Sequence, residues 1–149
     1  MTAARRGMAL PLALLALVVI AAIVAGGFAA ALLEQRIGRN MLYAVQAAGA
    51  AEAGAAAVMG GWEGYGLGLL APGESAVLPV TSLPGRTAYS PAVVRLSGEL
   101  FLVRVAGIRS DADGGALARR EVGVLVRVAD SAVPGAPPVW PLRNRPWVQ

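Results

Sequence analysis

Between the basic pair Arg5–Arg6 and the charged stretch Glu34–Arg39, the chain runs from Met8 to Leu33 without one charged side chain. An apolar run of about 20 residues or more is long enough to cross the hydrocarbon core of a bilayer as a helix. Its 13 Leu, Ile, Val and Phe residues each favour insertion by roughly 0.3–0.6 kcal/mol near the helix centre, about 4–8 kcal/mol in sum. Pro11, Gly26 and Gly27 subtract from that figure, but no charge opposes it. The rest of the chain is therefore expected to be attached to a membrane-inserted helix, and it suffices for one small domain.

The 13 basic residues are all Arg, and the net charge is +4. They are spread along the chain with no run of interleaved aromatics, so nucleic acid is not an expected partner. With no Cys and no His, a disulfide framework, a thiol nucleophile and the usual ligands of zinc, copper or iron–sulfur centres are ruled out. Any catalysis would have to run on carboxylates, Ser, Thr or Arg, and no paired-carboxylate constellation stands out beyond Asp111/Asp113. The Gly-rich segment GGWEGYGLG lacks a P-loop Lys and does not lead from a strand into a helix. The expectation is a protein that is not an enzyme and takes neither metal nor cofactor.

Arg5 and Arg6 hold the N-terminus on the cytoplasmic side, which places the C-terminal part outside. Three fates of the apolar segment follow from its flanks. Small residues around Gly27-Phe28-Ala29 offer a signal-peptidase site, the segment can stay as an uncut anchor, or the leader can be removed between Gly7 and Met8.

A short leader ending in Arg-Gly, then Met-Ala-Leu and a long apolar helix, resembles the class III signal of type IV prepilins and pseudopilins. The stretch LLEQRIGRNMLYAVQAAGAAEAG is similar to the helix continuation of PilX-type minor pilins, with matching positions at Leu32, Leu33, Glu34, Arg36, Gly38, Asn40, Gln46, Ala47, Ala48 and Glu52. Together these features cover residues 5–54, a third of the chain. The resemblance implies cleavage after Gly7 by a membrane-embedded prepilin peptidase and methylation of the new amine on Met8. It also implies a place in the bacterial inner membrane, with a periplasmic head that later joins a pilus or pseudopilus. The implied partners are the peptidase, other pilins met through the N-terminal helix, the inner-membrane assembly platform and membrane lipid.

One position departs from the family. Most pilins carry a glutamate at the fifth place of the mature chain, thought to pair with a neighbour's N-terminal ammonium, and here that place is Leu12. An uncompensated charge in an apolar filament core is costly, so a subunit without the glutamate should join differently from the bulk. PilX-type minor pilins and the longer K-type pseudopilins of type II secretion resemble this chain in lacking it. A position at or near the filament tip, with no neighbour ahead, fits that loss.

The dense alanines of Glu34–Met59 favour helix and predict one continuous element from Met8 to Val58, about 75 Å long at 1.5 Å per residue. It should end at Gly60-Gly61. Leu33, Ile37, Met41, Ala44, Ala48 and Ala51 recur at helical spacing and predict its apolar stripe. Ala22, Gly26 and Ala30 repeat every fourth position, which permits close helix–helix approach in lipid.

Trp62–Pro91 reads as loop with a short strand at Ala76–Val80. Trp62, Tyr65 and Tyr89 are expected to anchor it onto the helix, the alternative being binding aromatics. Ala92–Leu96, Leu100–Ile108 and Arg120–Ala129 alternate with period two and predict a half-buried antiparallel sheet, with its arginines on the solvent face. Asp111, Asp113 and Gly114 form a fragment of a calcium loop but lack its remaining ligands, so a hairpin turn is expected. The tail Asp130–Gln149 shows no pattern of regular structure. Its Trp140 and Trp147 either dock on a partner or cover an open sheet edge.

The predicted fold is α+β: a leader (residues 1–7), a transmembrane segment (8–33), a projecting continuation of the helix (34–59), a head with a three- to four-stranded antiparallel sheet packed on it (60–129), and a Pro/Trp-rich tail (130–149). The expected function is that of a minor pilin or pseudopilin, a structural assembly subunit. The alternative is a single-pass anchored or exported binding domain with no filament role.

Overall fold

The computed structural model describes residues 9–128 and 139–142, and the chain divides into two units between Arg39 and Asn40. Alanine-rich sequence without an internal Pro beyond the first turn gives a single helix, α1, from Ala9 to Gly60. Pro11 is tolerated because the first-turn N–H groups have no partner within the helix. At the other end Gly61 N–H donates to Ala57 O at 2.9 Å, and the chain then leaves the helical path. Gly66, at φ 64°, starts a single 3-10 turn over Leu67–Leu69.

Six strands follow: β1 (Ser75–Val77), β2 (Thr81–Leu83), β3 (Thr87–Ser97), β4 (Leu100–Ser110), β5 (Ala116–Val128) and β6 (Val139–Pro141). They form one antiparallel sheet in the order β1-β3-β4-β5-β6, with β2 also paired to β3. The α+β architecture of a long helix followed by an antiparallel sheet is thus as expected, with more strands than the three or four anticipated. The additional ones are three-residue segments held by their neighbours' ladders, too short to show alternation.

Several boundaries also differ, among them the start of β5, at Ala116 rather than Arg120. Trp62–Pro91 is not all loop, since it holds β1, β2 and the start of β3. The expected strand at Ala76–Val80 lies instead at Ser75–Val77. Pro91 sits inside β3, where a proline normally argues against a central strand. Its carbonyl accepts from Leu78 N–H at 3.0 Å on the β1–β2 side, so its missing donor faces the gap between those two short strands and costs the β3–β4 ladder nothing. Tyr89 therefore belongs to a strand. In the tail, Val139–Pro141 pairs with Val126–Val128, so part of it is regular. Trp147 lies outside the described residues.

The alternation read from the sequence sets the faces. Phe101, Val103, Val105, Val122, Val124 and Val126 point inward with Val93 and Val139, and they meet Ala51, Ala55 and Val58 of α1. Each fully buried Val contributes about 1.5–3 kcal/mol. Trp62 closes one end of this core edge-on against Phe101, ring centroids 5.0 Å apart at 89°. Leu67 and Tyr89 complete it. Trp62 and Tyr89 thus anchor the segment, whereas Tyr65 is 48% exposed.

The buried face of α1 is not the predicted stripe. Leu33, Ile37 and Met41 are exposed, and Ala44 and Ala48 half-buried; of that set only Ala51 is buried. Ala47, Ala50, Ala51, Gly54, Ala55 and Val58 face inward instead. The reason is steric. The sheet comes so close that a Cβ on Gly107 of β4 would lie 2.0 Å from Ala47 O and 2.6 Å from Ala51 N. A Cβ on Gly54 would lie 2.7 Å from both the Tyr89 ring and Val105. Close approach selects the helix face with the smallest side chains rather than the greasiest.

Candidate functional site

Two surfaces of the chain expose large apolar side chains. The first is the exposed apolar surface of α1 in the first unit. All its side chains described from Leu10 to Arg39 are exposed, among them Leu10 (72%) and Phe28 (70%). Among the described residues α1 is the one helix long and apolar enough to cross a membrane. Folded soluble monomers rarely leave more than a few hundred Å² of contiguous apolar surface in water. Such a surface is compatible with a membrane anchor.

The second lies in the head, where the flank of α1 meets the β5 edge. Met41, Ala44, Val45, Ala48 and Glu52 form one wall of an open groove of about 570 Å³, and Arg119–Val122 form the other. Met41 is 69% and Val45 59% exposed. Glu121 is held by Arg104, whose Nε donates to its Oε1 at 2.7 Å. That pair is solvent-exposed and worth at most about 1 kcal/mol.

The residues singled out from the sequence do not converge. Gly7 and Met8 lie outside the described residues. Glu34 and Arg36, in the first unit, and Asn40, in the second, are exposed on α1. Gln46 is half-buried, and its Oε1 accepts from Arg109 Nε at 2.7 Å. Glu52 is exposed on the groove wall. Asp111 is a turn-former: its Oδ1 accepts from Asp113 N–H at 2.9 Å and Gly115 N–H at 2.7 Å, which closes the β4–β5 hairpin. Among the described residues no group of three or more His, Cys, Asp or Glu is placed to hold a metal ion.

No sequence motif marks Arg109 or Arg95, yet both are structural clamps. Arg109 donates to Gln46, to Arg86 O at 3.3 Å and to Ser110 O, with its guanidinium 5.6 Å from the Tyr43 ring centroid. Arg95 is expected on the solvent face but is half-buried. It donates to Leu70 O at 2.6 Å and from Nε to Gly98 O at 2.8 Å, over the Phe101 ring. The five donors of a guanidinium suit it to gathering loop carbonyls, so alternation alone misplaces it. Gly107 carries a sequence signal, a glycine inside a strand, which marks close backbone approach here, whereas a Cβ on Gly123 in β5 would meet only Leu102 Cδ1, at 3.8 Å.

Compared with known proteins, the chain matches no family model, no curated protein and no solved structure.

Proposed function

We propose that this chain is a minor pilin or pseudopilin, a structural assembly subunit of a type IV pilus or related secretion filament. The observation that carries the reading is α1 itself. From Leu10 to Leu33 it presents an uninterrupted apolar, exposed surface and, in the second unit, the small-residue face on which an antiparallel sheet packs. A lipid-soluble helix that must leave the bilayer finds an equivalent solvent among the apolar helices of other subunits. The basic leader before it, Gly7 and Met8 give the peptidase its signal, and the peptidase methylates the amine of Met8. Leu12 removes the carboxylate that would otherwise need a partner in the filament core, which suits a subunit at or near the tip. The head lies in the periplasm, with lipid, the assembly platform and neighbouring pilins as partners.

Replacing Gly7 by Val tests the reading in cells. The variant should accumulate as the uncut precursor and fail to support filament assembly. Normal maturation and normal filaments would overturn it in favour of a tethered or exported binding domain.

A further inference from the structure

The chain itself supplies an occupant for the groove between α1 and β5. β6 runs antiparallel to β5, with Val139 opposite Val128 and Pro141 opposite Val126, and Leu142 N–H donates to Leu125 O at 3.0 Å, so the ladder continues past β6. Val139 is buried and Trp140 exposed, so the odd-numbered positions of this strand lie on the α1 side. Extended one for one, the same register would set Asn144 opposite Gly123, Arg145 opposite Val122 and Trp147 opposite Arg120. Directly opposed residues share a face, and Val122 faces the core. Pro146 would fall opposite Glu121 at a hydrogen-bonded position, with no N–H to give to the Glu121 carbonyl. The ladder weakens at that point, and the chain is released from the edge beside the groove.

The groove offers matching groups in the matching order. Gly107 lies against Ala47 and Ala51, and Gly54 against Val105, while β5 sets Arg120 opposite Gly107 and Val122 opposite Val105. Helix positions 47–51 are therefore level with Arg120 and position 54 with Val122, as about 1.5 Å per helical residue and about 3.3 Å per strand residue require. On the flank that lines the groove, Glu52 stands close to the height of Val122, and Ala48, Val45 and Met41 at and below that of Arg120. Among the described residues Glu52 takes part in no ion pair. We infer that residues 143–147 extend β6 along β5 as far as Pro146, pair Arg145 with Glu52, and lay the Trp147 indole into the apolar trough beside Val45 and Met41. The head thereby covers its own sheet edge.

Register, order and tethering select this occupant. The register of β6 brings Arg145 and Trp147 to the groove without any adjustment. The order Arg-Pro-Trp in residues 145–147 is the order in which that strand passes the carboxylate and then the exposed Val45 and Met41. A segment joined to its site by a few residues acts at an effective concentration on the order of mM, so a strand of another molecule has to displace it. Covering the edge also blocks stray pairing of β5 with other chains. The inference does not depend on the pilin reading.

The test uses the full chain in detergent micelles. The sequence holds no Cys, so an introduced pair reports proximity alone. Val122→Cys with Arg145→Cys, a directly opposed pair in the extended register, should form an intramolecular disulfide on mild oxidation. Thr81→Cys with Arg145→Cys, which sets the partner in β2 on the far side of the sheet, should not. Amide exchange gives a second readout that needs no cysteine. Gly123 N–H faces the β6 side, as Leu125 O does, and should be protected in the unaltered chain. Trp147→Ala and Arg145→Glu should each speed its exchange by roughly tenfold or more. Glu52→Arg should restore protection to Arg145→Glu but not to Trp147→Ala, because it rebuilds the charge pair and not the indole contact. Absence of the intramolecular disulfide, or an equal yield in the β2 control, would overturn the inference. Disulfide-linked dimers in its place would assign the groove to a second copy and overturn it equally. So would an unprotected Gly123, or exchange indifferent to Trp147→Ala or to the charge swap.

Discussion

Arg109 Nε donates to Gln46 Oε1 at 2.7 Å across 63 positions of sequence, tying β4 to α1 with a charge-assisted bond. The same guanidinium holds the carbonyls of Arg86 and Ser110, so one side chain fixes helix, turn and strand together. A hydrogen bond to a charged group is worth about 1.5–3 kcal/mol, less where water reaches it. Gln46→Ala should therefore destabilise the head by about 1 kcal/mol in urea unfolding. Arg109→Lys should cost more, because a point charge cannot serve three acceptors in one plane. A double-mutant cycle with Arg109→Ala should return positive coupling.

Glycines on α1 and the facing strand should respond in opposite ways. At Gly107 an added Cβ meets helix backbone at 2.0 Å, which cannot rotate aside. Gly107→Ala should cost about 3 kcal/mol or more, the upper end for overpacked cores. At Gly49, exposed on α1, a Cβ meets nothing within 4 Å. Gly49→Ala should stabilise by about 0.5–1 kcal/mol through helix propensity alone. Melting temperatures of the two variants should move in opposite directions.

Trp62 is 3% exposed, yet its Nε1 has no hydrogen-bond partner among the described residues. Its ring is needed and its donor is not. Trp62→Phe keeps a ring against Phe101 but leaves part of the indole volume empty, so it should cost clearly less than full truncation without being neutral. Trp62→Ala should cost about 3–5 kcal/mol. Chemical unfolding followed by circular dichroism separates the two.

Arg86 adopts φ 58°, a left-handed conformation unusual for a side-chain-bearing residue. The functional groups it supplies to its neighbours are backbone atoms: its carbonyl accepts from Ser110 N–H at 2.9 Å and from Arg109. Arg86→Gly keeps these and relieves about 1 kcal/mol of strain, partly offset by glycine's larger unfolded-state entropy. The net expectation is unchanged or slightly raised stability, whereas Arg86→Val should be clearly destabilised.

What the sequence discloses follows the strength of local pattern. Val122, Val124 and Val126 repeat over enough residues to set the core face of β5, and Gly60-Gly61 marks the end of α1 because no continuation competes there. Hydropathy points to the wrong face of α1 in the head. Met41 looks like core by hydropathy, yet it is exposed, and the face beside Gly107 presents Ala47 and Ala51. β1 and β2 exist only through their pairing with β3, a non-local property that three residues cannot encode. Arg109 and Gln46 illustrate the same limit at the level of single side chains, since nothing in either neighbourhood names the other.

The most direct measurement is the N-terminal mass of the protein extracted from membranes of cells that express it with a prepilin peptidase. A chain beginning at Met8 with one methyl group on its amine is the predicted result. A chain retaining Met1, or one beginning near Ala30, would contradict the filament-subunit reading and leave α1 as an ordinary anchor or export signal.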